Sequence, residues 1–164
     1  MTGRLLQTLL EMMRLKSGPQ DLPSDKALAV LLVLLYLAQG FIAGQVLEEP
    51  DAGPRTVLAV ALQFGVIGAL LNFKNLSMRF HQTISALSGT GFMFGMISLL
   101  LLVRADTEKV QPELALFYLA LFIWSIAVDA HIYRHALSIK MTFGVLVAVM
   151  IFLANYILLR AIFG

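Results

Sequence analysis

ALAVLLVLLYLAQGFIAGQVL, residues 27–47, contains no charged side chain. A helix rises ~1.5 Å per residue, so this stretch is long enough to cross the ~30 Å hydrocarbon core of a bilayer. Hydrocarbon offers no water to an open backbone N–H or C=O, so an apolar run of this length is predicted to be a helix that bonds its own backbone.

Working outward, the pattern repeats. Apolar spans are expected at about 56–73, 84–103, 114–133 and 141–159. They are separated by EEPDAGP (48–54), KNLSMRFHQT (74–83), DTEKVQPE (106–113) and RHALSIK (134–140), polar or turn-rich stretches too short to let successive helices run parallel. The expected fold is all-α: a polytopic transmembrane bundle of five helices over residues 25–164. Composition agrees. Of the chain's side chains 59% are hydrophobic and 13% charged, whereas a soluble domain needs about 25% charged residues to coat its surface. The absence of cysteine removes disulfides, iron–sulfur clusters and thiolate nucleophiles. No internal repeat is visible, so an inverted-repeat transporter is not supported.

Residues 1–24 form a separate segment. In GRLLQTLLEMMRLK (3–16), Arg4, Gln7, Thr8, Glu11 and Arg14 share one helical face, and Leu5, Leu6, Leu9, Met12 and Met13 fill the other. This short amphipathic helix is expected on the cytoplasmic side, either lying on the membrane surface or packed on the bundle's own end. GPQDLPSD (18–25) then breaks it, with Ser24 the expected N-cap of the first span.

Orientation follows from the cations. With the N-terminus cytoplasmic, that side holds Arg4, Arg14, Lys16, Lys26, Lys74, Arg79, Arg134 and Lys140. The other holds Arg55, Arg104, Lys109 and Arg160, together with the acids Glu48, Glu49, Asp51, Asp106, Glu108 and Glu113. The positive-inside rule makes the topology N-in, C-out.

An ionisable side chain within a span is costly and therefore a functional candidate. Asp129 is the clearest. It is expected ~6 Å inside the cytoplasmic boundary, paired with Arg79, or with Lys140 or His81 in its place. A structural ion pair and a proton or ion site are both open. His131 and His135 are one turn apart and share a face. They suit a zinc site with Asp129 or His81 as a third ligand, but the glutamate of HExxH is missing. The other reading puts them in a cationic collar with Lys74, Arg79, Arg134 and Lys140, facing anionic headgroups. Gln82 joins Arg79 on the helical stripe that opens RFHQTISALSGTGFMFG (79–95).

Two small-residue pairs, Gly40 with Gly44 and Gly91 with Gly95, have the GxxxG spacing by which helices approach closely in lipid. The SGTG stretch at 88–91 could alternatively break its helix. Gln39 and Gln63 sit at similar depth, and a hydrogen bond between them is expected. Trp124 falls mid-span, as packing or a cavity wall. No catalytic constellation, phosphate loop or cofactor motif is present.

RFHQTISALSGTG (79–91) and WSIAVDAHIYRHAL (124–137) together resemble small bacterial inner-membrane proteins similar to the Yip (Rab-interacting) five-helix family. The long N-terminal region of the eukaryotic members and their acidic-aromatic Gly-Pro motif are absent, so a trafficking role does not transfer. The resemblance implies a bacterial inner membrane and a non-enzymatic interaction or membrane-organising module. Its partners would be the bilayer with its anionic headgroups, and another membrane protein or a second copy of the chain, not nucleic acid. The alternative function is a small transporter or channel subunit using Asp129 and Arg79 in a polar cavity. The two differ at one place: a module needs Asp129 sealed against Arg79, a transporter needs a cavity around it.

Overall fold

The computed structural model describes residues 2–104 and 111–164, so the expected outer-side charges Asp106, Glu108 and Lys109 lie outside the described residues. The helices are α1 (Thr2–Met13), α2 (Lys26–Val46), α3 (Ala52–Phe73), α4 (Phe80–Leu102), α5 (Pro112–Leu137) and α6 (Met141–Phe163), with short 3-10 turns at Pro19–Asp21 and Ser77–Arg79. From α2 to α6 five helices are long and apolar enough to cross a membrane, with mean hydropathies of 1.7 to 2.3. The chain is a helical membrane bundle with no strand among the described residues.

Its helices outrun the apolar windows, for local reasons. α3 begins at Ala52 instead of Thr56, because the first N–H groups of a helix have no internal partner and Pro54 there forfeits nothing. α4 takes in the polar stretch before Ile84 because its side chains find partners: Thr83 donates to the Arg79 carbonyl and Gln82 to that of Leu22, both at 2.8 Å. α5 continues past Tyr133 to Leu137, then stops where Ser138 turns left-handed at φ 52°. α6 runs past the expected end at 159 to Phe163, with Gly164 as its C-cap. The N-cap of α2 is Asp25, not Ser24: its carboxylate accepts the Ala27 N–H at 2.8 Å.

At one end of the bundle, the basic end, Lys74 donates to the Leu137 carbonyl at 2.9 Å, and Arg79 reaches those of His135 and Ala136. These cations from α3 and the turn before α4 thus satisfy orphan carbonyls at the C-terminus of α5, where the helix dipole favours positive charge. At the opposite, acidic end, Arg55 at the start of α3 meets the Phe163 carbonyl at 3.4 Å.

The dense core lies toward the basic end. Every residue from Thr83 to Thr90 of α4 is buried, as are Ile67, Leu71, Val128, Ile132 and Tyr133. Small residues make this possible. α4 runs unbroken through SGTG, and its Gly89 receives Leu9 of α1. The GxxxG pairs serve two different contacts: Gly40 and Gly44 face Thr56 and Ala52 of α3, while Gly91 and Gly95 face Tyr36 and Gln39 of α2. At Gly144 of α6, a β-carbon would strike the Ala130 carbonyl of α5, so backbone meets backbone there.

The N-terminal segment takes the second of its two expected forms and packs on the bundle. Leu9, Met12 and Met13 are buried. The Trp124 indole donates to the Met13 carbonyl at 2.7 Å, and His131 Nε2 meets the Ser17 carbonyl at 3.0 Å. A carbonyl only accepts, so this His131 nitrogen carries the proton. Trp124 also stacks edge-on against Phe94, with centroids 5.1 Å apart.

Candidate functional site

Toward the acidic end from this core, α2, α3, α4 and α5 part around a cavity of about 520 Å³. Asp129 of α5 lies on its wall, with Tyr36 and Gln39 of α2, Gln63 of α3 and Ser125 of α5. Toward the acidic end it is bordered by Thr56, Ser98 and Tyr118. Leu87, Val60, Phe94 and Phe122 supply the apolar part of the lining.

Sequence positions dictate this convergence. Tyr36 and Gln39 are three residues apart and so share a face of α2, as do Ser125 and Asp129, four apart, on α5. Gly91 and Gly95 open the facing side of α4. A β-carbon at Gly91 would come within 2.9 Å of the Tyr36 ring, and one at Gly95 would collide with the Gln39 amide. The glycines therefore do more than bring helices together. They leave room for two polar side chains in the middle of the bundle.

Hydrogen bonding divides the lining in two. Some polar groups are satisfied by protein: Thr56 by the Ala52 carbonyl at 2.8 Å, Tyr118 by that of Ser98 at 3.0 Å, Ser125 by that of Phe122 at 2.8 Å, and the Gln63 amide by the Tyr133 hydroxyl at 2.9 Å. Among the described residues, the Asp129 carboxylate, the Tyr36 hydroxyl and the Gln39 amide find no hydrogen-bond partner. Gln39 is 7% exposed, and a buried amide normally has a partner. Asp129 is half-buried. Since α5 extends to Leu137, Asp129 lies eight residues, ~12 Å, from the helix end. Among the described residues, no Lys, Arg or His lines the cavity.

Several expected pairings are therefore not formed. Arg79 is not beside Asp129, because its guanidinium is taken by the end of α5 and by the Ser138 hydroxyl at 2.7 Å. Neither Lys140 nor His81 substitutes for it. Gln39 and Gln63 share the cavity without bonding each other, since Gln63 is turned to Tyr133. His131 and His135 do share a face, with ring centroids 4.5 Å apart. Among the described residues, however, no third His, Asp, Glu or Cys joins them to hold a metal. His131 is buried against the N-terminal segment, and Lys74 and Arg79 point at α5, so the expected collar reduces to exposed Arg134 and Lys140.

Of the polar cluster expected from sequence, Asp129 alone reaches the cavity. Gln82 and His131 tie down the N-terminal segment, and Arg79 ends α5. Tyr36 was missed. Its signal was its place one turn before Gln39, which gives an otherwise apolar helix a polar stripe. Comparison with protein-family models, curated proteins and solved structures finds no match to this chain.

Proposed function

We propose that this chain is a non-enzymatic membrane protein that holds a small solute inside its bundle and passes it across the bilayer, alone or as one subunit of a transporter. The observation that carries this reading is Asp129: among the described residues, this carboxylate has no hydrogen-bond partner, and no cation lines the cavity on whose wall it lies. A bare carboxylate within a bilayer is costly, so a bundle built only for packing would pair it or omit it. Here the countercharge has to come from what enters the cavity, a proton or a cation. Exchange of one for the other would couple solute movement to a proton gradient.

The interaction-module reading has less support, because its small-residue faces are occupied within the chain. Gly40, Gly44, Gly91 and Gly95 all abut the chain's own side chains. By the positive-inside rule the basic end is cytoplasmic. The cavity then lies toward the outer leaflet with Asp129 at its floor. The resemblance noted from sequence puts this in a bacterial inner membrane.

The chain has no cysteine, so a single introduced thiol reports unambiguously. In reconstituted vesicles, Asp129→Cys should react with a membrane-impermeant thiol reagent from one side of the membrane. If it reacts from neither side while an exposed Glu48→Cys control does, the transport reading is abandoned.

A further inference from the structure

We infer that the cavity's ligand is an organic monocation: one ammonium-like charge on a largely apolar, ring-sized body. The inference rests on the solute-binding reading above and names the class of solute.

Charge comes first. Among the described residues, Asp129 is the one formal charge on the lining. A carboxylate or phosphate compound would meet it with no cation to compensate, at a depth where charges are weakly screened. A single positive charge on the ligand neutralises the site. Size then separates an organic cation from a bare metal ion. A hard cation needs about six oxygen ligands at roughly 2.0–2.6 Å, and among the described residues no three His, Cys, Asp or Glu side chains gather to hold a metal ion. The cavity's volume of about 520 Å³ falls in the ~300–1,000 Å³ range of organic ligand sites.

The walls fit the same class. Tyr36, Phe94, Tyr118 and Phe122 put four aromatic rings around the cavity. Aromatic faces attract cations, most strongly where water is excluded. On the same lining, the Tyr36 hydroxyl and the Gln39 amide have no hydrogen-bond partner among the described residues and can orient a polar head. Farther toward the acidic end, Tyr118 and Thr56 are already satisfied by backbone. Among the described residues, the polar groups left for a ligand are thus Asp129, Tyr36 and Gln39, while Leu87, Val60, Phe94 and Phe122 offer apolar surface to its body.

The test uses Ser125→Cys, one turn from Asp129 on the same wall, in the purified full chain reconstituted in nanodiscs. Its rate of modification by a small thiol reagent is measured with benzyltrimethylammonium, with the neutral isostere neopentylbenzene, and with benzenesulfonate. The expected result is labelling that the cation slows about tenfold or more at saturation and that the other two leave unchanged. In the Asp129→Asn background the half-protecting concentration should rise about tenfold, while Asp129→Glu should retain protection. Equal protection by the neutral isostere, or protection that survives Asp129→Asn, overturns the inference. So does labelling without protection, but that result leaves the water-accessible cavity standing. No labelling of Ser125→Cys removes the cavity reading and this inference together. Each variant is first checked for an unchanged gel-filtration profile.

Discussion

The amide of Gln63 donates to the hydroxyl of Tyr133 at 2.9 Å, joining α3 to α5 beside Asp129. Tyr133 is 1% exposed and one turn from Asp129 on α5. This contact turns the Gln63 amide toward Tyr133, and no hydrogen bond forms between Gln63 and Gln39 across the cavity they share. Hydrogen bonds between helices in membranes average about 0.6 kcal/mol and reach about 1.7. A double-mutant cycle of Tyr133→Phe and Gln63→Leu, followed by SDS-induced unfolding, should return a coupling in that range. A coupling indistinguishable from zero would mean that the bond does not hold the two helices.

Glycine substitutions should rank by what a β-carbon meets. At Gly144 it meets the Ala130 backbone, which cannot swing aside, and at Gly95 it meets the movable Gln39 amide. Gly65 has open space. Gly144→Ala should therefore destabilise most, by about 1–3 kcal/mol for overpacking. Gly95→Ala should cost less stability but displace Gln39, and Gly65→Ala should be neutral or slightly stabilising through helix propensity. Thermal unfolding of the three variants side by side checks the order. A Gly65→Ala cost equal to that of Gly144→Ala would contradict this packing.

Arg79 and Asp129 serve separate structures. Arg79→Ala should loosen the end of α5 by uncovering the His135 and Ala136 carbonyls. Asp129→Asn should leave that end intact. Because the two share no partner, their effects on unfolding should add to within about 0.3–0.5 kcal/mol. A large coupling in the double variant would restore the ion pair expected from sequence and close the cavity argument.

The N-terminal segment is held by backbone carbonyls that accept from Trp124, His131 and Gln82. Trp124→Phe keeps most of the ring but loses the bond to Met13. Combined with His131→Ala, it should release the segment and speed tryptic cleavage at the exposed Arg14 and Lys16 by about tenfold or more, since each lost bond contributes about 1 kcal/mol. An unchanged cleavage rate would show that Leu9, Met12 and Met13 hold the segment by themselves.

Much of this was legible in the residues. Five charge-poor runs announce five spanning helices, since only a helix satisfies its own backbone in hydrocarbon. The boundaries were less legible. Hydropathy marks where lipid begins, whereas a helix continues as long as its polar side chains find partners, as Gln82 and Thr83 do. The stop of α5 lacked its usual signal, because Ser138 occupies the left-handed position where glycine is the common choice. Gly144 gave no warning either. It belongs to no GxxxG pair, and its close approach to Ala130 depends on how α5 and α6 cross.

Asp129 shows where sequence ends and tertiary structure begins. The sequence by itself determined that this chain has five membrane helices, a basic and an acidic end, and a carboxylate inside the fourth span. Those follow from hydropathy and spacing along one chain. What only the tertiary structure decided is the partner of each polar group: Arg79 to the end of α5, Gln63 to Tyr133, and none among the described residues for Asp129, Tyr36 or Gln39. Pairing depends on helix rotation and crossing. Those are set by many small contacts across helices, such as Gly91 against Tyr36 and Leu9 against Gly89, and depth along a single helix does not encode them.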